Sequence, residues 1–260
     1  MKKNTVQLQN ITLGAGMPKI CVPVMGKNLR ELEAAALAAR EQADLIELRL
    51  DSVSPEIDAD ELCAVCRALR EKAQGTALLA TMRTVRDGGA GDADAARYEA
   101  LLTTLAKAHV CDALDAELSV GEDAFARIVK AAHATGVPVV GSFHDFEKTP
   151  SIKAMENKLR RMAALGADVC KIAVMPKTEE DVRALQTACA RANDALPQPI
   201  IAISMGEMGM PTRICAEAMG SCLSFGTAGA ASAPGPMEAG ALREALTLVH
   251  GALARKPQGF

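Results

Sequence analysis

Lys171 is the charged residue inside an otherwise apolar run, Val169-Cys170-Lys171-Ile172-Ala173-Val174-Met175, bounded by Gly166 and Pro176. Short length and β-branched content predict a strand. Alternation puts Val169, Lys171, Ala173 and Met175 on one face and Cys170, Ile172 and Val174 on the other. An ammonium is costly in such a place, and desolvation favours the neutral amine. A neutral amine is a nucleophile that forms an imine with a ketone or aldehyde. The plainer alternative is a strand-end lysine that snorkels its charge to water. His144 follows the apolar pair Val139-Val140 on the preceding predicted strand. Its ordinary pKa of about 6.5 lets an imidazole remove a carbon-bound proton and return it elsewhere. Arg49, Arg83 and Arg213 can hold a carboxylate by bidentate pairing. Together these residues suit proton abstraction beside a ketone on an anionic substrate, with a protonated imine as electron sink.

Other polar residues fall at comparable places. Glu47 and Arg49 are two apart, as are Asp115 and Glu117, so each pair shares a strand face. A solvated rim would scatter charges without a common facing. His109, His133 and His250 lie in or beside helical patterns and read as surface residues. Met205 opens a methionine-rich stretch that reads as flexible packing or as pocket wall.

The elements that must position these residues alternate along the whole chain. Residues 5–13 read as a short hairpin. Strands are predicted at 19–25, 44–50, 77–82, 111–118, 139–143, 168–176, 199–204 and 221–225. Helices are predicted at 28–42, 60–72, 94–107, 122–135, 149–165, 179–195, 211–219 and 237–253. Eight strand–helix units with no linker-like composition between them predict a single α/β domain over residues 1–260, a (β/α)8 TIM barrel with a short N-terminal β-hairpin. Such a barrel gathers its site at the C-terminal ends of its strands. An open doubly wound sheet is the alternative architecture. Its dinucleotide fingerprint is missing: Gly14-Ala15-Gly16 precedes a strand instead of opening a helix.

Composition narrows the function classes. A net charge of −3 without a long basic run gives no footprint for nucleic acid, and an aromatic content of 2% offers little base stacking. No apolar stretch reaches membrane-span length, and residues 1–4 lead into polar alternation, not a signal-peptide core. Eight cysteines scattered through apolar segments suit reduced thiols in a cytoplasm. The close pair Cys63/Cys66 sits in a helical pattern without a second pair, which speaks for packing over metal binding.

The chain resembles type I 3-dehydroquinate dehydratases along essentially its full length. The resemblance is carried by Lys19-Ile20-Cys21-Val22-Pro23-Val24-Met25-Gly26, Glu47-Leu48-Arg49-Leu50-Asp51, Thr81-Met82-Arg83 and Ser142-Phe143-His144-Asp145-Phe146. It continues through Thr149-Pro150, Lys171-Ile172-Ala173-Val174-Met175-Pro176, Ser204-Met205-Gly206 and Ser232-Ala233-Pro234-Gly235. It implies a barrel enzyme, usually a homodimer, that dehydrates 3-dehydroquinate to 3-dehydroshikimate without metal or added cofactor, in shikimate biosynthesis or quinate catabolism. By the same resemblance Lys171 forms the Schiff base and His144 moves the protons. Arg213 binds the substrate carboxylate, and Glu47, Arg49 and Arg83 hold ring hydroxyls. Met205 and Phe225 supply apolar wall, and Ser232 a lid contact.

Two positions depart from the family pattern. Asp87 stands where many members have a glutamate that orients the histidine. It keeps the charge with one methylene fewer, and beside His144 that charge is expected to raise the histidine pKa. Pro236 stands where the lid motif usually has glutamine, and proline brings neither a side-chain donor nor a backbone N–H. Two rival readings share parts of the pattern. A Schiff-base aldolase acting on a phosphorylated sugar would use the lysine, with 226–229 as phosphate loop. A non-catalytic metabolite-binding barrel would be expected to lack Lys171 or His144.

Overall fold

The computed structural model describes residues 3–53, 57–92, 94–228 and 237–254. Ser232 and Pro236 lie outside the described residues. The chain opens with an antiparallel hairpin, β1 (Val6–Leu8) and β2 (Ile11–Leu13), in which Val6 faces Leu13. Strand then alternates with helix. The strands are β3 (Lys19–Val24), β4 (Leu45–Arg49), β5 (Ala77–Thr81), β6 (Ala113–Glu117), β7 (Val139–Asp145), β8 (Val169–Val174), β9 (Ile200–Ser204) and β10 (Leu223–Phe225). The helices are α1 (Leu29–Arg40), α2 (Ala59–Ala73), α3 (Ala95–Lys107), α4 (Glu122–Ala134), α5 (Ile152–Ala164), α6 (Glu179–Ala195), α7 (Met210–Ile214) and α8 (Ala239–Ala254).

Among the described residues, β3 to β10 form one eight-stranded parallel sheet in the order β10-β3-β4-β5-β6-β7-β8-β9. Its ends meet: Ile200 bridges Ser221 in parallel, and the Cys222 N–H donates to the Ile200 carbonyl at 2.8 Å. The sheet is therefore a barrel, and the open doubly wound alternative is set aside. Polar residues start the helices where the sequence places them. Asn28, Asp94 and Ser151 cap α1, α3 and α5, and Asp58 and Thr178 form reciprocal capping boxes with Glu61 and Asp181.

Strand alternation splits the interior into two apolar clusters. Outward residues such as Ile46, Leu48, Leu78, Leu114, Cys170 and Ile172 pack with the helices. Inward residues, among them Cys21, Leu45, Leu79, Val140, Val169 and Ile201, fill the barrel together with Leu8, Ile11 and Leu13 of the hairpin. Each fully buried Leu or Ile contributes roughly 1.5–3 kcal/mol relative to exposure. The hairpin thus serves as the plug of the barrel floor. Cys63 and Cys66 are both buried on α2 within the outer cluster.

Two predicted boundaries need correction. β7 runs to Asp145, so His144 lies in the sheet opposite Ala173 and not in a loop beyond it. The helix predicted at 211–219 is a single turn, Met210–Ile214. Pro211 starts it, and the chain then passes through turns to Gly220, whose φ of +85° only glycine adopts readily.

Candidate active site

Lys171 projects into the barrel from β8 and is 3% exposed, so its charge does not snorkel to water. Its Nζ lies 3.4 Å from Glu47 Oε1 on β4 and 3.6 Å from Asp115 Oδ2 on β6. The Phe225 ring of β10 sits 4.5 Å from the same nitrogen. The sequence predicts a lone amine among apolar neighbours; the structure corrects this to an amine flanked by two carboxylates and an aromatic face. A buried ion is tolerable when paired and hydrogen-bonded.

Arg83 is the other cation of the layer, and it follows β5. Its NH1 meets Asp115 Oδ1 at 3.0 Å, Glu117 Oε1 at 2.9 Å and Ser142 Oγ at 3.0 Å, while NH2 approaches Glu47 Oε1 at 3.9 Å. Thr81 Oγ1 donates to Glu47 Oε1 at 3.0 Å, and Ser142 Oγ donates to Asp115 Oδ1 at 2.6 Å. Burial pushes the Asp115 carboxyl up, yet Arg83 and Lys171 hold it below the ordinary value. Glu117 goes the other way. Burial, with Asp87 adding to it, outweighs Arg83 and Thr84 and pushes it up to about 7.

His144 reaches the same layer from β7. The Asp87 Oδ2 atom accepts its backbone N–H at 2.8 Å and faces its ring Nδ1 at 3.2 Å. One oxygen of the shorter acid therefore serves both groups. Gly89 lets the segment carrying Asp87 fold back, since a Cβ there would collide with the Arg83 carbonyl. The expected upward shift of the histidine is reversed. Burial first, then Arg83, Lys171 and Arg49, hold His144 well below its ordinary value. Burial also raises the pKa of Asp87 itself. The ring is thus a neutral imidazole, the form that accepts a proton.

The remaining predicted residues occupy the surroundings. Arg49 forks onto Asp51 through Nε and NH2, both at 2.8 Å, and Asp51 also accepts the N–H groups of Arg83 and Ala90. Arg213, on α7, donates through NH1 to the Ser204 carbonyl at 2.8 Å. Its buried Nε has no hydrogen-bond partner among the described residues. Burial lowers the Arg213 pKa. Met205 is half-buried against the inner apolar cluster, which includes Phe225. Thr81, Thr84 and Ser142 join the polar network, and nothing in their spacing marks them as site residues. Spacing marks Asp115 and Glu117 as charges on one strand face but assigns them no role.

A cavity of about 640 Å³ lies elsewhere, between α2 and α3, lined by Leu62, Met82, Tyr98 and Leu101 among others. Neither Lys171 nor His144 lines it. Among the described residues, no helix is long and apolar enough to cross a membrane.

Residues 20–252 match the model of the family described as type I 3-dehydroquinase. A 3-dehydroquinate dehydratase from Bacillus licheniformis is 41% identical over 250 residues, covering 95% of this chain and 98% of that one. One from Lactiplantibacillus plantarum is also 41% identical, covering 93% of this chain and 96% of that one. The crystal structure of a type I 3-dehydroquinate dehydratase from Clostridium difficile, with covalently modified comenic acid, superposes with a TM-score of 0.93 at 38% identity, covering 96% of this chain and 99% of that one. Similarity of this extent in both sequence and fold means that the chain belongs to the type I 3-dehydroquinase family.

Proposed function

We propose that this chain is a hydro-lyase that converts 3-dehydroquinate to 3-dehydroshikimate through a Schiff base on Lys171. The observation that carries the residue assignment is one buried layer holding the Lys171 amine and a neutral His144 on adjacent parallel strands. Attack on the ketone needs the neutral amine, and Glu47 and Asp115 are the bases within reach of its proton. Loss of water from the carbinolamine gives the protonated imine, an electron sink for the neighbouring carbon. His144 takes the proton from that carbon, C2. The resulting enamine expels the C1 hydroxyl, which leaves as water with the proton returned by the imidazolium. Hydrolysis of the conjugated imine frees the product and Lys171.

The other groups act on binding. Arg213, with a buried N–H to spare, takes the substrate carboxylate. Glu47, Arg49 and Arg83 hold ring hydroxyls, and Phe225 and Met205 supply apolar wall. Asp87 orients His144. Ser232 contributes a lid contact in this reading, although it lies outside the described residues. The reading requires no metal or added cofactor. It includes a single domain over 1–260, a homodimer, and a place in the cytoplasm in the shikimate pathway.

The test is direct. Incubation with 3-dehydroquinate should produce the ultraviolet absorbance of a conjugated enone. Borohydride added with substrate should inactivate the protein, and peptide mapping should place the reduced adduct on Lys171. An adduct on another lysine refutes the assignment.

A further inference from the structure

Glu117 is a buried carboxylate that the reaction scheme leaves unused. It ends β6 and is fully buried, and both its oxygens are spent on residues 83 and 84. Oε1 accepts Arg83 NH1 and the Thr84 backbone N–H, each at 2.9 Å, and Oε2 accepts the Thr84 hydroxyl at 2.6 Å. From α3, Tyr98 Oη accepts the backbone N–H of Glu117 at 3.1 Å and so anchors the main chain at the end of β6.

Thr84 is the foot of the segment that carries Asp87. Its carbonyl accepts the N–H of Asp87 at 3.1 Å and that of Gly89 at 2.8 Å. The segment then closes on itself, with Gly91 donating to the Arg83 carbonyl and Val85 donating to the Gly91 carbonyl. Asp87 therefore reaches His144 from a loop whose base is clasped by Glu117. The same carboxylate also holds Arg83, which pairs with Asp115 beside Lys171.

We infer that Glu117 is a positioning residue for the proton-transfer half of the reaction, holding Asp87 in place against His144 through Thr84. The inference rests on the proposed roles of Lys171 and His144 and adds a division of labour. Imine formation at Lys171 survives loss of the clasp, whereas proton transfer by His144 does not keep its rate. The groups around Glu117 are Arg83, Thr84 and Asp87 after β5, Asp115 on its own strand, Tyr98 on α3, and Ser142 and His144 on β7. Among them Glu117 is pushed up to about 7, chiefly by burial, so the clasp loosens as pH falls through that value. An amide can keep the contacts only in one orientation, its oxygen accepting from Arg83 NH1 and the Thr84 N–H and its nitrogen donating to the Thr84 hydroxyl, and even then it removes the charge that pairs with Arg83 and strengthens the clasp.

The experiment compares wild type, Glu117→Gln and Thr84→Val, which removes only the hydroxyl. Wild type that neither dehydrates 3-dehydroquinate nor traps with borohydride refutes the reading beneath the inference before any variant matters. With an active wild type, Glu117→Gln should lower kcat about 10-fold or more and change KM by less than about 3-fold, within the range that general acid–base catalysis supplies. It should trap with borohydride as fully as wild type. The wild-type fall in kcat below about pH 7 should flatten in the variant, since its group no longer titrates. Thr84→Val should shift kcat in the same direction by less, and it decides the matter if Glu117→Gln does not fold. Wild-type kcat in a folded variant overturns the inference. So does trapping that falls in step with kcat, or a limb near pH 7 that survives at lower rate, since each marks a structural role.

Discussion

The barrel interior has two storeys built by the same strands. In the lower one, Leu45, Leu79, Ala113, Val140 and Val169 meet the hairpin residues Leu8, Ile11 and Leu13. One same-face step along each strand, roughly 7 Å at about 3.3 Å per residue, the residues become Glu47, Thr81, Asp115, Ser142 and Lys171. Both storeys are buried to a similar degree, with Leu45 1% exposed and Lys171 3% exposed. Burial therefore means opposite things in the two. Below, it removes apolar surface from water and stabilises the fold. Above, it strips water from charges, which is tolerable only because each finds a partner. Stability is concentrated in the floor and chemistry in the layer above it.

The sharpest way to break that contrast is at Lys171. Lys171→Ala should abolish turnover and borohydride trapping. It should also destabilise the protein, by up to about 3–5 kcal/mol, because Glu47 and Asp115 lose a buried counter-charge. Urea unfolding beside an activity assay checks both. Unchanged stability would mean that Arg83 alone compensates the layer.

His144→Ala comes next. Turnover should fall by about 10²- to 10⁴-fold while the imine still forms, so intact-mass spectrometry should show a covalent complex accumulating. Loss of the complex as well would make His144 structural. The floor should give the mirror image. Leu45→Ala should cost about 2–5 kcal/mol of stability, with kcat of the folded enzyme within about 2-fold of wild type. A kcat that collapses with stability would show that the two storeys are not separable.

The smallest effect is a pH dependence. His144 is neutral in the folded protein and takes up a proton below about pH 6.5 when unfolded. Its depressed folded pKa therefore removes stability as pH falls below that value, by up to about 1.4 kcal/mol per unit until the folded group itself titrates. His144→Gln should flatten this part of the stability–pH curve. A slope identical to wild type would mean that other groups carry it.

Much of this was legible in the chain itself. Side-chain alternation is a local property of any strand, so the common facing of Glu47 with Arg49, of Asp115 with Glu117, and of Lys171 with Val169 and Ala173 followed from spacing alone. The repeated change of period from two to about 3.6 residues predicted strand–helix units, and eight of them predicted a barrel. A lone charge inside an apolar strand marked Lys171, and an imidazole on the neighbouring strand marked His144, before any family pattern was needed. What the tertiary structure decided was which charge faces which. Asp87 reaches His144 across 57 positions of sequence, and Arg83 meets Ser142 across 59. Those meetings depend on the register of neighbouring strands and the closure of the sheet, which no local pattern encodes. The same holds for the hairpin, recognisable as a hairpin but not as the plug of a barrel, and for His144. Nearby Asp87 argues for raising its pKa, and only the full set of neighbours, burial and Arg83, Lys171 and Arg49 together, turns the shift downward.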